Sequence, residues 1–228
     1  MAAIRERPFL VDEAFGQIIR LVGHDLRNKL SVMQNSTYFL NMKVGGQNEK
    51  LAKHLGILLR EINQSNRIVL NLMDLAAPKT PKPALVELNP LIQQTLEQVP
   101  PPEGAILKTM LAAELPPVQL DREQLGRALE NILLFQYAAL RPGDTLRVIS
   151  RAAGPKVYVE LVDSGPGLAK EQVARLFELQ PGEGPIALQM GLVVARQLIA
   201  LNKGQLEVES RLGLGTRFSI ILPLSPAG

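Results

Sequence analysis

Val162-Asp163-Ser164-Gly165-Pro166-Gly167-Leu168 decides how this chain folds. It closes a β-rich run, Lys156 to Val162, with an acidic residue and two glycines, which alone would be an ordinary strand-ending turn. Its neighbours give it context. Thr145 to Ser150 is a second β-rich run joined to the first around Gly154-Pro155. Downstream, Gln205 to Ser210 and Thr216 to Leu222 form another pair, joined by Arg211-Leu212-Gly213-Leu214-Gly215. Met190 to Leu201 is helical by pattern, as is the segment from about Asp121 to Ala139. Further upstream, Leu85 to Leu88 and Ile106 to Leu111 read as strands, with Asn89 capping a helix that starts at Pro90. Helices interspersed with hairpins predict an α/β sandwich, its helices layered on one face of a mixed sheet.

The first third of the chain has a different period. Phe15, Ile19, Val22, Leu26, Leu30 (with Met33), Thr37, Leu40 and Val44 advance in steps of three and four, the stripe of a long helix. After the turn signal Gly45-Gly46-Gln47-Asn48, a second stripe runs Leu51, Leu55, Leu58, Ile62, Ser65, Val69, Leu72, Ala76. Two helices of this kind form an antiparallel hairpin. Leu58, Leu59, Ile62, Ile68, Val69 and Leu72 are more than one neighbour can cover, so two hairpins are expected to pair as a homodimeric four-helix bundle. Ala77-Pro78-Lys79-Thr80-Pro81-Lys82-Pro83 ends the second helix, because proline lacks the amide proton and restrains the residue before it. The expected organisation is a hairpin over 1–77, a stiff linker over 78–84 and the α/β domain over 85–228.

Composition removes several function classes. The chain has 228 residues and no cysteine, and its two histidines, His24 and His54, are too few for a histidine-rich metal site. No apolar run reaches the roughly 18 residues that span a bilayer, and Met1 to Arg7 lacks a signal-peptide core, so a cytoplasmic protein without membrane contact is expected. The net charge is only +3 and aromatic residues make up 4%, which argues against nucleic-acid binding through a basic stripe or stacking rings.

His24 lies about 200° around the first helix from the apolar stripe and should face solvent. An exposed imidazole is largely neutral near pH 7 and offers a nitrogen lone pair to electrophilic phosphorus. Asp25 is positioned to accept the other ring proton and act as general base, and Asn28, one turn on, to orient a water or an incoming phosphoryl group. His54 follows Lys53 on the second helix and reads as a surface residue.

His24-Asp25-Leu26-Arg27-Asn28-Lys29-Leu30 resembles the phosphoacceptor box H-[ED]-x-[RK]-[NT]-P-L of two-component sensor histidine kinases, fitting six of seven positions. Lys29 stands where the family usually has proline, which predicts a straighter helix and an added positive charge beside the histidine.

Residues 85 to 228 resemble the ATP-binding domain of the same kinases, a Bergerat fold. Asp163 to Gly167 match the first glycine box, D-x-G-x-G. Leu176-Phe177-Glu178 matches the phenylalanine box, and Gly213-Leu214-Gly215-Thr216-Arg217-Phe218 the late G-x-G-T-x-F hairpin. The resemblance implies that Asp163 accepts a hydrogen bond from the adenine amino group, with Gly165, Gly167, Gly191 and Thr216 at the nucleotide. The N box falls at Asn131-Ile132-Leu133-Leu134-Phe135-Gln136, against N-L-L-x-N-A. Asn131 fits, but Phe135 replaces the asparagine that is the family's magnesium ligand, and a phenyl ring cannot do that work. No metal ligand is assigned. Ala187-Leu188-Gln189-Met190-Gly191-Leu192 takes the place of G-x-G-L-G-L, so Leu188 and Gln189 crowd the space where backbone amides would receive phosphates.

What the resemblance implies is a histidine-kinase-like component of a phosphorelay with a weakened ATP site. His24 would exchange a phosphoryl group with the aspartate of a response-regulator receiver domain, with input from an upstream sensor protein or kinase. Phosphotransfer or phosphatase action is expected ahead of ATP-dependent autophosphorylation. The alternative is a non-enzymatic pseudokinase that docks and modulates a partner kinase or regulator.

Overall fold

The computed structural model describes residues 13–44, 48–180 and 185–224, with side chains from residue 16 onward. The chain divides into two compact units, Met1–Lys79 and Thr80–Gly228.

In the first unit, α1 (Glu13–Val44) and α2 (Glu49–Ala76) run antiparallel. Asn48 starts α2 by accepting the Leu51 amide at 3.1 Å, satisfying one of the free donors of a helix N-terminus. The seam between the helices takes only part of the apolar stripe, Ile19, Leu30, Thr37 and Val44. Gly16, Gly23 and Thr37 are buried and Leu30, Gln34, Asn41 and Val44 half-buried, while Val22, Leu26, Met33 and Leu40 stay exposed. Between these shared positions the covered residue is the next one along, Gly23, Gln34 and Asn41 in place of Val22, Met33 and Leu40, about 100° around the helix.

Small and polar residues explain the offset. Gly16 lets the carbonyl of Ala76 approach, and a Cβ on Gly23 would lie 2.6 Å from Met73 Cγ, so the helices close on glycine. Gln34 then donates to Asn63 Oδ1 at 2.9 Å across the seam, and α2 buries Asn71 and Asp74 as well as Leu55. Leu51, Leu58 and Leu72 remain exposed on α2. Each hairpin therefore keeps a large part of its apolar surface uncovered.

The second unit holds a five-stranded sheet of order β2-β4-β5-β7-β6. Its strands are β2 (Ile106–Leu111), β4 (Thr145–Ala153), β5 (Lys156–Asp163), β6 (Gln205–Arg211) and β7 (Gly215–Pro223). Only β2 and β4 are parallel, which makes the sheet mixed. One face carries Leu146, Val148, Val157, Val159, Leu161, Phe218, Ile220 and Leu222, all buried. Period-two alternation turns the intervening residues to the other face. The long helices α4 (Arg122–Tyr137) and α6 (Ile186–Leu201) bury Leu125, Leu129, Ile132 and Leu133, and Leu192, Val194, Leu198 and Ile199 respectively. Together these faces make the α/β sandwich the sequence predicts.

Smaller elements complete the unit. The strands β1 (Ala84–Val86) and β3 (Val118–Leu120) pair antiparallel, and α5 (Lys170–Arg175) follows the Asp163 turn. The helix α3 (Leu88–Gln98) begins earlier than expected, with Glu87 at its cap position. Leu88 is buried and starts the helix rather than ending a strand. Asn89 does not cap, because its side chain is spent on tertiary contacts: it donates to the Ala112 carbonyl and accepts from the Ser150 hydroxyl, both at 2.8 Å. Pro90, third in the helix, still lies among the first four amides that have no partner within it, so its missing proton costs nothing.

Candidate functional site

Two groups of residues bear chemistry, one in each unit. On α1, His24 is exposed and its Nδ1 lies 3.3 Å from Asn28 Nδ2, one helical turn on. Asp25 does not meet the ring. Adjacent residues on a helix diverge by about 100°, whereas residues four apart share a face. Asp25 Oδ2 accordingly sits 3.9 Å from Lys29 Nζ, both highly exposed. Lys29 sits within the uninterrupted helix Glu13–Val44, as expected where proline is absent.

The Asn28 contact sets the chemistry of the imidazole. With the amide oxygen turned to the ring, Asn28 accepts the Nδ1 proton and Nε2 keeps its lone pair; with the amide nitrogen there, Nδ1 accepts and Nε2 holds the proton. The first arrangement is the nucleophilic one.

In the second unit Asp163 ends β5 and is buried, with 6% exposure. Its Oδ1 accepts the amides of Gly165 at 2.9 Å and Thr216 at 3.1 Å, and its Oδ2 accepts Gln136 Nε2 at 2.9 Å. Three of about four acceptor positions on the ionised group are thus filled from within the chain. Thr216 is tied down as well, its hydroxyl 2.8 Å from that of Ser210. Both residues are among those lining a groove of about 610 Å³, together with Arg147, Lys170, Arg211, Arg217 and Glu209.

The glycines have internal work. Gly167, at φ +66°, and Gly215, at φ +89°, lie where the turn after β5 crosses the β6–β7 hairpin. A Cβ on Gly167 would overlap the Arg211 carbonyl, and one on Gly215 the Asp163 carbonyl. These two positions accommodate the chain's own backbone. Gly165 is buried, and a Cβ there would meet Asp163 Oδ1 at 3.1 Å. Gly191 brings α6 against α4, where a Cβ would meet the buried Asn131 Oδ1 at 3.1 Å.

Phe135 packs edge to face on Phe218, ring centroids 5.9 Å apart. A ring held in this way offers magnesium no lone pair. The residues at this position do not fit the ion. Gln189 stitches the start of α6 to the preceding segment: its Oε1 accepts the Gln180 amide at 2.7 Å and its Nε2 donates to the Gln180 carbonyl at 3.1 Å. Arg196 lies over Phe177, 4.7 Å from the ring centroid.

Gln136 was not singled out by sequence reasoning. The signal was a polar residue at the small position of the N box; what it meant depended on a contact between α4 and β5 that no local pattern encodes.

Comparison with known proteins accords with this geometry. Residues 120–226 match the family described as histidine kinase-, DNA gyrase B-, and HSP90-like ATPase. The sensor histidine kinase ZraS of Escherichia coli K12 is 27% identical over 235 residues, covering 97% of this chain and 50% of that protein. The signal transduction histidine-protein kinase AtoS of the same organism is 25% identical, covering 93% of this chain and 35% of its own length. The chain thus spans about half or less of these relatives. Full-length ShkA in complex with AMPPNP superposes with a TM-score of 0.71 at 22% identity, over 93% of this chain and 47% of ShkA. The Acinetobacter baumannii histidine kinase AdeS gives 0.55 at 18%, over 89% and 98%. At these identities the structures establish likeness of fold.

Proposed function

Because residues 120–226 form a domain of the histidine kinase-, DNA gyrase B- and HSP90-like ATPase family and the chain is a relative of the sensor histidine kinases, we propose that it works in a two-component phosphorelay. Within it, His24 exchanges a phosphoryl group with a receiver-domain aspartate. The observation that carries this reading is the exposed His24–Asn28 pair on α1. In the transfer, the Nε2 lone pair attacks phosphorus, an N–P bond forms and the P–O bond to the aspartate breaks, releasing a carboxylate. Positive charge building on the ring is carried at Nδ1–H, whose proton Asn28 accepts through Oδ1 when its amide is turned over from the arrangement that brings Nδ2 to Nδ1. The reverse path returns the group, and with water as acceptor the same site acts as a phosphatase.

Phosphotransfer stands ahead of autophosphorylation in this reading. Phe135 supplies no magnesium ligand, and Gln189 is committed to Gln180 where phosphates would enter. The second unit is a nucleotide-binding domain with weakened phosphate handling, Asp163 being the acceptor for an adenine amino group. The first unit is the phosphoacceptor and dimerisation hairpin. Its uncovered stripe, Val22, Leu26, Met33 and Leu40 with Leu51, Leu58 and Leu72, favours a homodimeric four-helix bundle.

Two incubations test the proposal, one with phosphorylated receiver domain and one with γ-labelled ATP and magnesium, each with His24→Ala as control. Acid-labile label from the receiver that depends on His24 is the expected result. Label from neither donor, with wild-type behaviour of His24→Ala in partner binding, supports the pseudokinase alternative.

A further inference from the structure

An ionised carboxylate as buried as Asp163 needs donors on both oxygens. Oδ1 has two backbone amides, those of Gly165 and Thr216, fixed by the turn and the hairpin. Oδ2 has the side-chain amide of Gln136, a donor that a substitution can remove. Gln136 is itself 1% exposed. Its two N–H groups lie among three acceptors, Asp163 Oδ2 at 2.9 Å, the Leu161 carbonyl at 3.2 Å and the Thr216 carbonyl at 3.3 Å, while its Oε1 has no partner among the described residues. A buried amide with an orphaned oxygen is a poor choice for packing, since an apolar side chain of the same volume would avoid the desolvation cost. What the amide provides is an N–H directed at Oδ2.

We propose that Gln136 sets both the affinity and the base preference of the nucleotide site, its amide occupying on Asp163 Oδ2 the place of a base's exocyclic amino group. This rests on the reading of Asp163 as the base acceptor. The internal donor already fills one of the two acceptor positions on Oδ2, so an incoming amino group meets an oxygen whose charge is partly satisfied and gains less than at a bare Oδ2. A base bearing a keto group at the same position loses little by comparison. The consequence is a site that binds weakly and scarcely distinguishes an amino edge from a keto edge.

Binding of ADP and of inosine diphosphate, whose base carries the keto group, is measured by calorimetry on the full chain and on Gln136→Ala and Gln136→Met, with folding checked by circular dichroism. Methionine keeps most of the volume and removes the donor, which guards against collapse of the alanine variant. The expected result is that ADP binding tightens tenfold or more in a folded variant while inosine diphosphate changes less than threefold, with ADP raising the variant's melting temperature more than the wild type's. Equal ADP affinity in wild type and variants, abolished in each by Asp163→Ala, would retain the nucleotide reading and overturn the role of Gln136. Absence of ADP binding in every protein, variants included, would overturn both.

Discussion

Phe135 and Phe218 meet at an interplanar angle of 80°, the edge of one ring against the face of the other, tying α4 to β7. Phe218 is fully buried and Phe135 half-buried. Replacing Phe135 with alanine removes this contact and is expected to cost about 2 kcal/mol, below the range for a fully buried phenylalanine. Urea denaturation followed by circular dichroism checks it; an unchanged midpoint would mean that the ring contributes nothing to the core.

The hydroxyl of Tyr137 is buried and has no hydrogen-bond partner among the described residues. Burial raises its pKa from 10.0 to about 12. The unfolded chain therefore loses this proton first as pH rises, and stability falls between about pH 10 and pH 12, by up to about 3 kcal/mol at the top of that range. Tyr137→Phe should be neutral or slightly stabilising at pH 7 and should lessen the alkaline loss. Melting temperatures of the two proteins from pH 7 to 11.5 give the comparison, and parallel curves would contradict it.

Asn28, rather than Asp25, touches the His24 ring. Asn28→Ala should slow phosphoryl uptake from a phosphorylated receiver by roughly tenfold, the value of one lost hydrogen bond of about 1.4 kcal/mol. Asp25→Asn removes only an exposed contact with Lys29 and should change the rate by no more than about twofold. Initial rates with both variants decide the matter; a larger loss for Asp25→Asn would restore it as the general base.

Leu26 and Leu58 are exposed on the hairpin, at 43% and 51%. If their stripe is covered by a second copy, the double change Leu26→Glu, Leu58→Glu should convert dimer to monomer at micromolar concentration, since each carboxylate would lose its water on association. Sedimentation equilibrium measures this. A wild-type chain that is already monomeric there would remove the bundle.

Legibility in the sequence followed the range of the determining interactions. The helix α4 and the hairpins β4–β5 and β6–β7 were readable because cap, period and turn residues are local: Asp121 both caps α4 through the Gln124 amide and marks its start in the sequence. β3 and α5 were missed, being three and six residues long, too short to show a period. The part of the hairpin seam that leaves the stripe was hidden for another reason: hydrophobicity marks the larger residues, whereas Gly16 and Gly23 let the partner helix approach where no apolar side chain announces it. In the site, Asp163 could be read from its turn, but its bond to Gln136 spans 27 residues and appears only when helix and sheet are layered.

The crossing at Gly167 and Gly215 bears on how other chains of this kind are to be sorted. Two strands of backbone pass there without room for a methyl group, so these glycines are demanded by the path of the polypeptide before any ligand arrives. A survey that counts them as tokens of a working nucleotide enzyme would score this chain as active on the strength of its scaffolding. The discriminating letters are those at positions 135, 136 and 189, whose side chains, held on Phe218, Asp163 and Gln180, differ in chemistry from what the family pattern asks there.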